Sequence, residues 1–516
     1  MKKIEFKHIS LLFISILIFT SCGKKLVERT DQLSALQPTD LDLNAGMWKP
    51  VLLSRPDTFA VVAPAAAGST AYLADLNEVK SYQSRLSVAD QDKINFWAAG
   101  GTLRWNELMR QLVAKYNLPP YQNADGSYPI PSSANPFAYP LFPFSNPPYA
   151  ARAYAYIAAA QYDALVACWH FKKLYNRPAA YTVDPSIKSL VPRTSLPSYP
   201  SEAAVLAGVT AEMMKLFFPT EIAYIQEKAI EQETAAIQSG TALRSDVLAG
   251  ETLGRQVAQV FIARARADNA GKAVGTPTDW ANLVTNTVAR GETPWESLET
   301  PKRPPMLPLF GKVLPFLFES ATVAALRPGP PPSTNSEQMK KETEEVYNYV
   351  KNPNNANQRI VLFWADGAGT YTPPGHWNAI ACEDFVKKNY SEVRWSRNLA
   401  LLNMAMMDAG IVCWDTKYFY FNPRPSQLNS SIKTFTGVPN FPAYISGHST
   451  FSGAAATILG QLVPERAAAY SSMASEASLS RLIGGIHFRS DCEVGLTVGK
   501  NVGQFAVTRA NTDGAQ

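Results

Sequence analysis

The chain is predicted to be an all-α protein, with two duplicated antiparallel helix bundles packed side by side and the active site in the C-terminal bundle. Apolar residues recur at every third or fourth position over residues 151–168 and 396–414, which is the spacing of an amphipathic helix. Runs that alternate apolar and polar residues, as strands do, are scarce. An internal repeat predicts that the helices form two related bundles.

The composition indicates a large globular protein. The chain has 516 residues, of which 46% are hydrophobic and 18% charged, enough apolar residues for a substantial core. The net charge is only +5, and no dense run of Lys and Arg lies beyond the N-terminal region. Nucleic acid is therefore not expected as a partner.

The N-terminus predicts export and a lipid anchor. Lys2 and Lys3 precede an apolar run over residues 9–19, and Thr-Ser-Cys-Gly follows at residues 20–23. Residues 1–21 therefore read as a signal peptide, and the site resembles a bacterial lipobox in which Cys22 is lipidated. The alternative is an ordinary signal peptide with a chance Cys. We expect a cell-envelope protein, held at the periplasmic or outer-membrane side by the lipid alone.

A repeat at a fixed offset organises the rest of the chain. When the sequence is shifted by 245 residues, at least 21 identities fall between positions 152 and 257 and their counterparts, where average residue usage would give roughly seven. The predicted regions are a tether and N-terminal extension over residues 22–90, a first helical half over 91–300, a Pro-rich connection over 301–335 and a second helical half over 336–516.

The two copies differ at reactive positions. Where the second copy has His448, Arg481 and His487, the first has Ala at 203, 236 and 242, and Glu202 stands opposite Gly447. The first half is therefore predicted to be a catalytically inert scaffold, and the chemistry is assigned to the second.

The four cysteines after Cys22 permit disulfides in an oxidising compartment. Cys168 and Cys413 occupy equivalent places in the repeat, each followed by a Trp, so they are interpreted as small core residues. The state of Cys382 and Cys492 is left open.

Two segments of the second half offer groups that suit an anion. Lys417 lies near the end of a predicted helix, and Arg424 follows between two prolines, so a stiff turn holds two cations. Ser446, Gly447 and His448 directly precede another predicted helix. A helix N-terminus offers free N–H groups, and a Gly lets the backbone approach an anion closely.

A third segment adds Arg481, His487 and Asp491. His and Asp at i and i+4 share one face of a helix, so the carboxylate can hold the proton on one ring nitrogen and leave the other free. Three cations, backbone donors and two histidines together suit a tetrahedral oxyanion such as phosphate or its isostere vanadate.

These three motifs occur in the order Lys-x6-Arg-Pro, Ser-Gly-His and Ser-Arg-x5-His-x3-Asp. This order resembles the signature of the superfamily of type 2 phosphatidic acid phosphatases and vanadium-dependent haloperoxidases. The stretches around Trp414, Phe441 and residues 372–378 are similar to the haloperoxidase branch. One departure is Ile445, where the family usually has Pro.

The resemblance implies a role for each matching residue. Lys417, Arg424 and Arg481 would hold the equatorial oxygens of vanadate or phosphate, and Ser446 and Gly447 would hydrogen-bond them. His487 would be the axial vanadate ligand or the phosphorylated nucleophile, His448 the acid/base, and Asp491 the residue that orients His487. Trp414 and Phe441 would line the halide side.

The activity that the resemblance implies is oxidation of a halide by hydrogen peroxide at a histidine-bound vanadate, with a small organic acceptor. The alternative is a periplasmic acid phosphatase that cleaves a phosphate ester through a phospho-histidine. A third interpretation is a scaffold lipoprotein without activity. The intact motifs in the second half of the chain argue against it. The oligomeric state, homo-oligomer or monomer, is left open.

Some of these residues also have plain structural interpretations. Lys417 could be a solvated charge at a helix C-terminus, and Trp414 and Phe441 could be core residues. His376 and Asn378 resemble family positions but have no evident task, so a structural role is favoured for both.

Overall fold

The computed structural model describes residues 33–118, 124–125 and 147–515, and it is helical with no strand in these ranges. The α-helices are α1 Thr70–Gln83, α2 Val88–Ala98, α3 Gly101–Tyr116, α4 Pro147–Tyr175, α5 Ala180–Val183, α6 Glu202–Phe217, α7 Ile222–Gln238, α8 Arg244–Ala267, α9 Pro277–Ala289, α10 Ser320–Leu326, α11 Glu337–Lys351, α12 Asn355–Phe363, α13 Thr372–Val386, α14 Glu392–Tyr420, α15 Pro425–Leu428, α16 Gly447–Leu462, α17 Ala467–Ile483 and α18 Arg489–Ala510. The prediction of an all-α fold is confirmed.

Two long helices, α4 and α14, form the centre of the molecule. Each has 29 residues, nearly all of its middle part is buried, and the two helices pack against each other. Helices α6 and α8 pack on one side of this pair, and α16 and α18 pack on the other. The core is therefore continuous from one half of the chain to the other.

The helices of the two halves recur at the offset found in the sequence. Helices α14, α16, α17 and α18 each begin 245 residues after α4, α6, α7 and α8. Gly254 lies so close to the Val205 carbonyl, and Gly499 to that of Thr450, that a Cβ at either glycine would collide with backbone. Close helix pairing therefore requires a glycine at the same place in each half.

Buried ionic contacts recur in the same way. Arg152 pairs with Asp268 at 2.7 Å, and Arg397 pairs with Asp513 at 2.8 Å. Each guanidinium ties its long central helix to a residue just after α8 in the first half or just after α18 in the second. The two halves thus share their fold-determining contacts as well as their helix starts.

The segments outside the two halves also pack on the core. Asp163 of α4 accepts hydrogen bonds from the backbone N–H groups of residues 51–53, and Asp408 of α14 accepts them from Phe316 and Leu317. Parts of the predicted extension and of the Pro-rich connection are therefore anchored to the central helices. Residues 1–21 and the predicted lipidation site Cys22 lie outside the described residues, and both stay predictions.

The four cysteines of the described chain are buried free thiols. The thiols of Cys168 and Cys413 each donate to a carbonyl, that of Pro200 and that of Ile445, at 3.5 Å. Cys382 and Cys492, which the sequence left open, form no disulfide. Within the described ranges, no helix has the length and apolar character needed to cross a membrane.

Candidate active site

Lys417 is a buried cation on the last turn of α14. Its side chain has no exposed surface, and Nζ donates to the carbonyl oxygens of Pro442 at 2.7 Å and Ala443 at 2.8 Å. A surface lysine at a helix end would be solvated instead. The interpretation of Lys417 as a solvated charge is therefore excluded.

Arg424 lies on the turn before α15 and is also fully buried. Its Nε donates to the Phe441 carbonyl at 2.9 Å, and its Nη1 donates to the Ile486 carbonyl at 2.7 Å. The same Nη1 lies 3.0 Å from Nε2 of His487. Since a guanidinium can only donate, Nε2 of His487 accepts this bond and carries no proton.

The other ring nitrogen of His487 faces Asp491. Nδ1 lies 2.9 Å from Oδ2 of Asp491, and the same oxygen accepts the N–H of Phe488 at 3.0 Å. The sequence predicted this pair on one helix face. Instead, α18 begins at Arg489, so His487 precedes the helix and Asp491 lies in its first turn. The carboxylate caps the helix and orients the imidazole at once, which fixes the proton on Nδ1.

The Ser-Gly-His motif begins helix α16. Ser446 is the N-cap residue, its hydroxyl accepts from the N–H of Ser449 at 3.4 Å, and its own N–H donates to the Asp491 carbonyl at 2.9 Å. A Cβ at Gly447 would lie 3.6 Å from the Trp414 ring. Ile445, which stands where the family usually has Pro, is fully buried.

These segments meet at a cavity of about 410 Å³. Several of the predicted residues line it together, and these are Trp414, Phe441, Gly447, His448, Arg481 and His487. Lys417, Arg424 and Ser446 lie behind this wall in the buried core. Arg481, near the end of α17, has its Nε on the Ser480 hydroxyl at 2.9 Å and its Nη2 on the Val361 carbonyl at 3.2 Å.

Trp414 and Phe441 form an aromatic wall of the cavity. Their ring centroids are 5.0 Å apart, and the Lys417 and Arg424 cations lie 5.1 and 5.0 Å from the Phe441 ring. The Trp414 Nε1–H donates to the Met306 carbonyl at 3.3 Å. The two rings therefore pack the core and also face the cavity, so both sequence interpretations describe the same side chains.

The electrostatics of the site are dominated by buried positive charge. Burial lowers the pKa of Arg424 and of Arg481 to about 10, and it also lowers the pKa of the Lys417 ammonium. Burial and then the Arg424 and Lys417 charges hold the pKa of His487 well below its usual value. Burial raises the pKa of Asp491. Each of these shifts has the direction expected for charges taken out of water without a full counter-charge.

The lowered pKa of His487 predicts a neutral ring in mildly acidic solution. In the folded protein, the His487 ring takes up its second proton only at a lower pH than usual. We therefore expect Nδ1 alone to carry a proton at about pH 6, where an ordinary histidine is mostly charged. The measurement is ¹⁵N NMR of histidine-labelled protein, in which a His487 variant assigns the signal. Urea-unfolded protein is the control. An imidazolium signal from folded His487 at that pH would contradict the expectation.

The residues present fit a bound oxyanion. Nη2 of Arg424 is buried and has no hydrogen-bond partner among the described residues. Buried polar groups normally have partners, and an unpaired guanidinium N–H is suited to an anionic oxygen. Lys417, Arg424, Arg481 and the N-terminus of α16 could hold vanadate or phosphate, and His487 Nε2 could be its nitrogen ligand.

The equivalent place in the first half holds a different arrangement. A cavity of about 240 Å³ is lined there by Lys172, Glu202 and Ala203, the counterparts of Lys417, Gly447 and His448. The Glu202 carboxylate accepts the Trp169 Nε1–H at 2.7 Å and lies 3.7 Å from the Lys172 ammonium. A protein carboxylate thus faces the retained cation, so the first half stays predicted as inert.

The structure also shows site residues that sequence reasoning missed. Asp366, Met306 and Arg303 line the active-site cavity, although none belongs to a motif. His376, which had no evident task, contacts the Asp366 carboxylate at 3.0 Å. Asn378 has a structural role, because it is hydrogen-bonded to Asn106 and Asn403 in the core. Only the spatial approach of separate segments could have identified Asp366.

Comparisons with known proteins agree with this geometry. Residues 398–513 match the PAP2 superfamily, so this part of the chain is a PAP2 superfamily domain. The structure is similar to that of a bacterial vanadium-dependent iodoperoxidase, with a TM-score of 0.59 and 22% identity over 79% of this chain and 96% of the other. It is also similar to a bacterial vanadium-dependent chloroperoxidase in its holo form, with a TM-score of 0.50 and 12% identity over 74% of this chain and 96% of the other. No curated protein sequence matches the chain. Because the sequence identities to these solved structures are only 22% and 12%, the similarity shows that the fold is shared.

Proposed function

We propose that the protein is a vanadium-dependent haloperoxidase that oxidises a halide with hydrogen peroxide. The observation that carries the proposal is the placement of His487. Its unprotonated Nε2 contacts Arg424 at the wall of a cationic cavity, and its Nδ1 is held by Asp491. A neutral imidazole with its lone pair directed at a buried cationic site suits coordination to vanadate.

The side chains of the site divide the remaining tasks. Lys417, Arg424 and Arg481 neutralise the charge of the oxyanion, and the buried surroundings strengthen their attraction because little water screens it. Ser446 and Gly447 supply donors from the start of α16. Bound vanadate would supply the activation of hydrogen peroxide toward the halide.

His448 is placed to move protons at the cavity. Its side chain lines the cavity, and its buried Nε2 has no hydrogen-bond partner among the described residues, so this nitrogen can exchange a proton with a group that enters. Trp414 and Phe441 offer an apolar, polarisable wall beside these cations. Such a wall suits a weakly hydrated halide better than a strongly hydrated anion.

Phosphate ester hydrolysis is the second candidate, and the PAP2 superfamily match favours it. In that reaction His487 Nε2 would attack phosphorus, the P–O bond to the ester oxygen would break, and His448 would give that oxygen the proton with which it leaves as the alcohol. Water would then cleave the phospho-histidine and regenerate the free imidazole. Both candidates use the same cations and the same histidines.

A paired assay separates the two candidates. Metal-stripped protein is reconstituted with orthovanadate and assayed for peroxide-dependent iodination and bromination of a dye. The stripped protein is then assayed without vanadate for hydrolysis of a chromogenic phosphate ester. We expect halogenation that saturates with vanadate and little ester cleavage. Ester cleavage without halogenation at any vanadate concentration would assign the second candidate.

A lysine of the first half provides a matched control for this assay. Lys172→Met and Lys417→Met each remove a buried cation at the same place in the repeat. We expect only Lys417→Met to lose activity, since Lys172 lies in the cavity that lacks the histidines. Equal losses would indicate that the lysines act through stability alone.

A further inference from the structure

Asp366 places a carboxylate between two histidines at the active-site cavity. Its Oδ1 and Oδ2 lie 3.0 and 3.3 Å from Nδ1 of His376, and Oδ2 lies 3.9 Å from Nε2 of His448. The Asp366 side chain is only 6% exposed. Because a carboxylate only accepts hydrogen bonds, Nδ1 of His376 carries the proton that joins the pair.

The surroundings hold this carboxylate in place from two sides. Asp366 lies in the turn between α12 and α13, where Asn117 Nδ2 donates to the carbonyls of Gly367 at 2.8 Å and Thr370 at 2.9 Å. His376, on α13, stacks on Trp364 with centroids 4.7 Å apart and planes at 29°. Both the backbone of the turn and the ring that contacts the carboxylate are therefore fixed by packing.

The charge of Asp366 complements the cations on this side of the cavity. Burial and the Arg481 charge lower the pKa of His448, while the backbone carbonyls of Trp364 and Ala365 act in the opposite direction. The Asp366 carboxylate also acts on Arg481, whose charged form it favours. On the other side of the site, the Asp491 carboxylate accepts a hydrogen bond from Nδ1 of His487. His448 and His487 thus each have a buried carboxylate beside them, 3.9 Å from Nε2 of His448 and 2.9 Å from Nδ1 of His487.

We propose that Asp366 and His376 are positioning residues for His448: His376 fixes the carboxylate, and the carboxylate orients the His448 ring toward the cavity. This inference rests on the proposed function, in which His448 moves protons, and it extends the site by a second histidine. It also assigns a role to His376, for which the sequence motifs indicated none.

Three variants test the proposal in purified, vanadate-loaded enzyme. Asp366→Asn keeps the size of the side chain but removes its charge. His376→Phe keeps the stacking on Trp364 but removes the donor. His376→Asn is the conservative variant, because its amide nitrogen can replace Nδ1 as donor to Asp366.

We expect Asp366→Asn to lower kcat by about 10- to 100-fold, the usual cost of losing an orienting partner. His376→Phe should lower kcat by about 10-fold, and His376→Asn should restore most of it. Vanadate affinity, measured by titration, should be unchanged or tighter in Asp366→Asn, because a negative charge near Arg481 is removed. A purely structural defect would instead weaken affinity and kcat together.

The outcomes separate this inference from the proposed function. If the wild-type protein binds vanadate and turns over but Asp366→Asn retains its kcat, or if His376→Asn and His376→Phe fall equally, the positioning role is wrong and the proposed function stands. If the wild-type protein cleaves phosphate esters only, the same fall in kcat of Asp366→Asn in that reaction supports the positioning role, and an unchanged kcat overturns it. If it neither binds vanadate nor turns over, both proposals are wrong.

Discussion

Replacement of His487 by Ala is expected to abolish turnover and to weaken vanadate binding by more than about 100-fold, the upper end of the effect of residues that only orient a ligand. His487 supplies the nitrogen that faces the cationic cavity, and its Nε2 also accepts the Arg424 hydrogen bond. The variant removes both and leaves the Asp491 carboxylate and the Arg424 guanidinium buried without this partner. The measurements are vanadate titration and halide oxidation at saturating vanadate.

The first half of the chain indicates that the fold tolerates this change. Ala242 occupies the equivalent position there and is buried before α8, as His487 is before α18. We therefore expect the helical circular dichroism spectrum of His487→Ala to match that of the wild type. Retained turnover in a correctly folded variant would reject the assignment of His487.

The second large effect is expected from Arg424→Ala, which should raise the dissociation constant for orthovanadate by about 10- to 100-fold. A hydrogen bond to a charged group contributes about 1.5–3 kcal/mol, and each 1.4 kcal/mol is a factor of ten in affinity. The unpartnered Nη2 and the Nη1 that contacts His487 are both lost. Arg424→Lys should recover part of the affinity, because it restores the charge without the planar fork.

The repeat again provides the controls. Ala179 is the buried counterpart of Arg424 in the first half, so an alanine at this place is compatible with the fold. Lys172→Met, which removes a buried cation from the other half, should leave vanadate affinity unchanged. Wild-type affinity in Arg424→Ala would mean that the oxyanion binds elsewhere than beside His487.

Much of the architecture could be predicted because it depends on local patterns. Residues 151–168 and 396–414 lie within α4 and α14, and the starts of the repeated helices keep the 245-residue offset of the sequence. Helix periodicity and small residues at close contacts act over a few turns or between neighbouring helices, so they leave a clear signal. The ordered motifs likewise named Arg481, His448 and His487, which line one cavity. They also named Lys417 and Arg424, which are buried behind its wall.

Other features required the tertiary structure. The His487–Asp491 contact was predicted for the right pair but on a helix face, whereas the helix begins between the two residues. Helix ends depend on capping and on packing, which periodicity does not specify. The sequence also could not predict that Cys382 and Cys492 are free thiols. A disulfide depends on how close two distant parts of the chain come in the fold.

By itself, then, the sequence determined the helical class and the repeat, and it named the side chains that we propose carry the chemistry, since all three depend on the spacing of residues along the chain. The tertiary structure alone decided that Asp366 lies between His376 and His448. It also decided that Lys417 is buried against two carbonyls rather than solvated. Both facts arise from contacts between segments far apart in sequence, and only the packing of the helices brings those segments together.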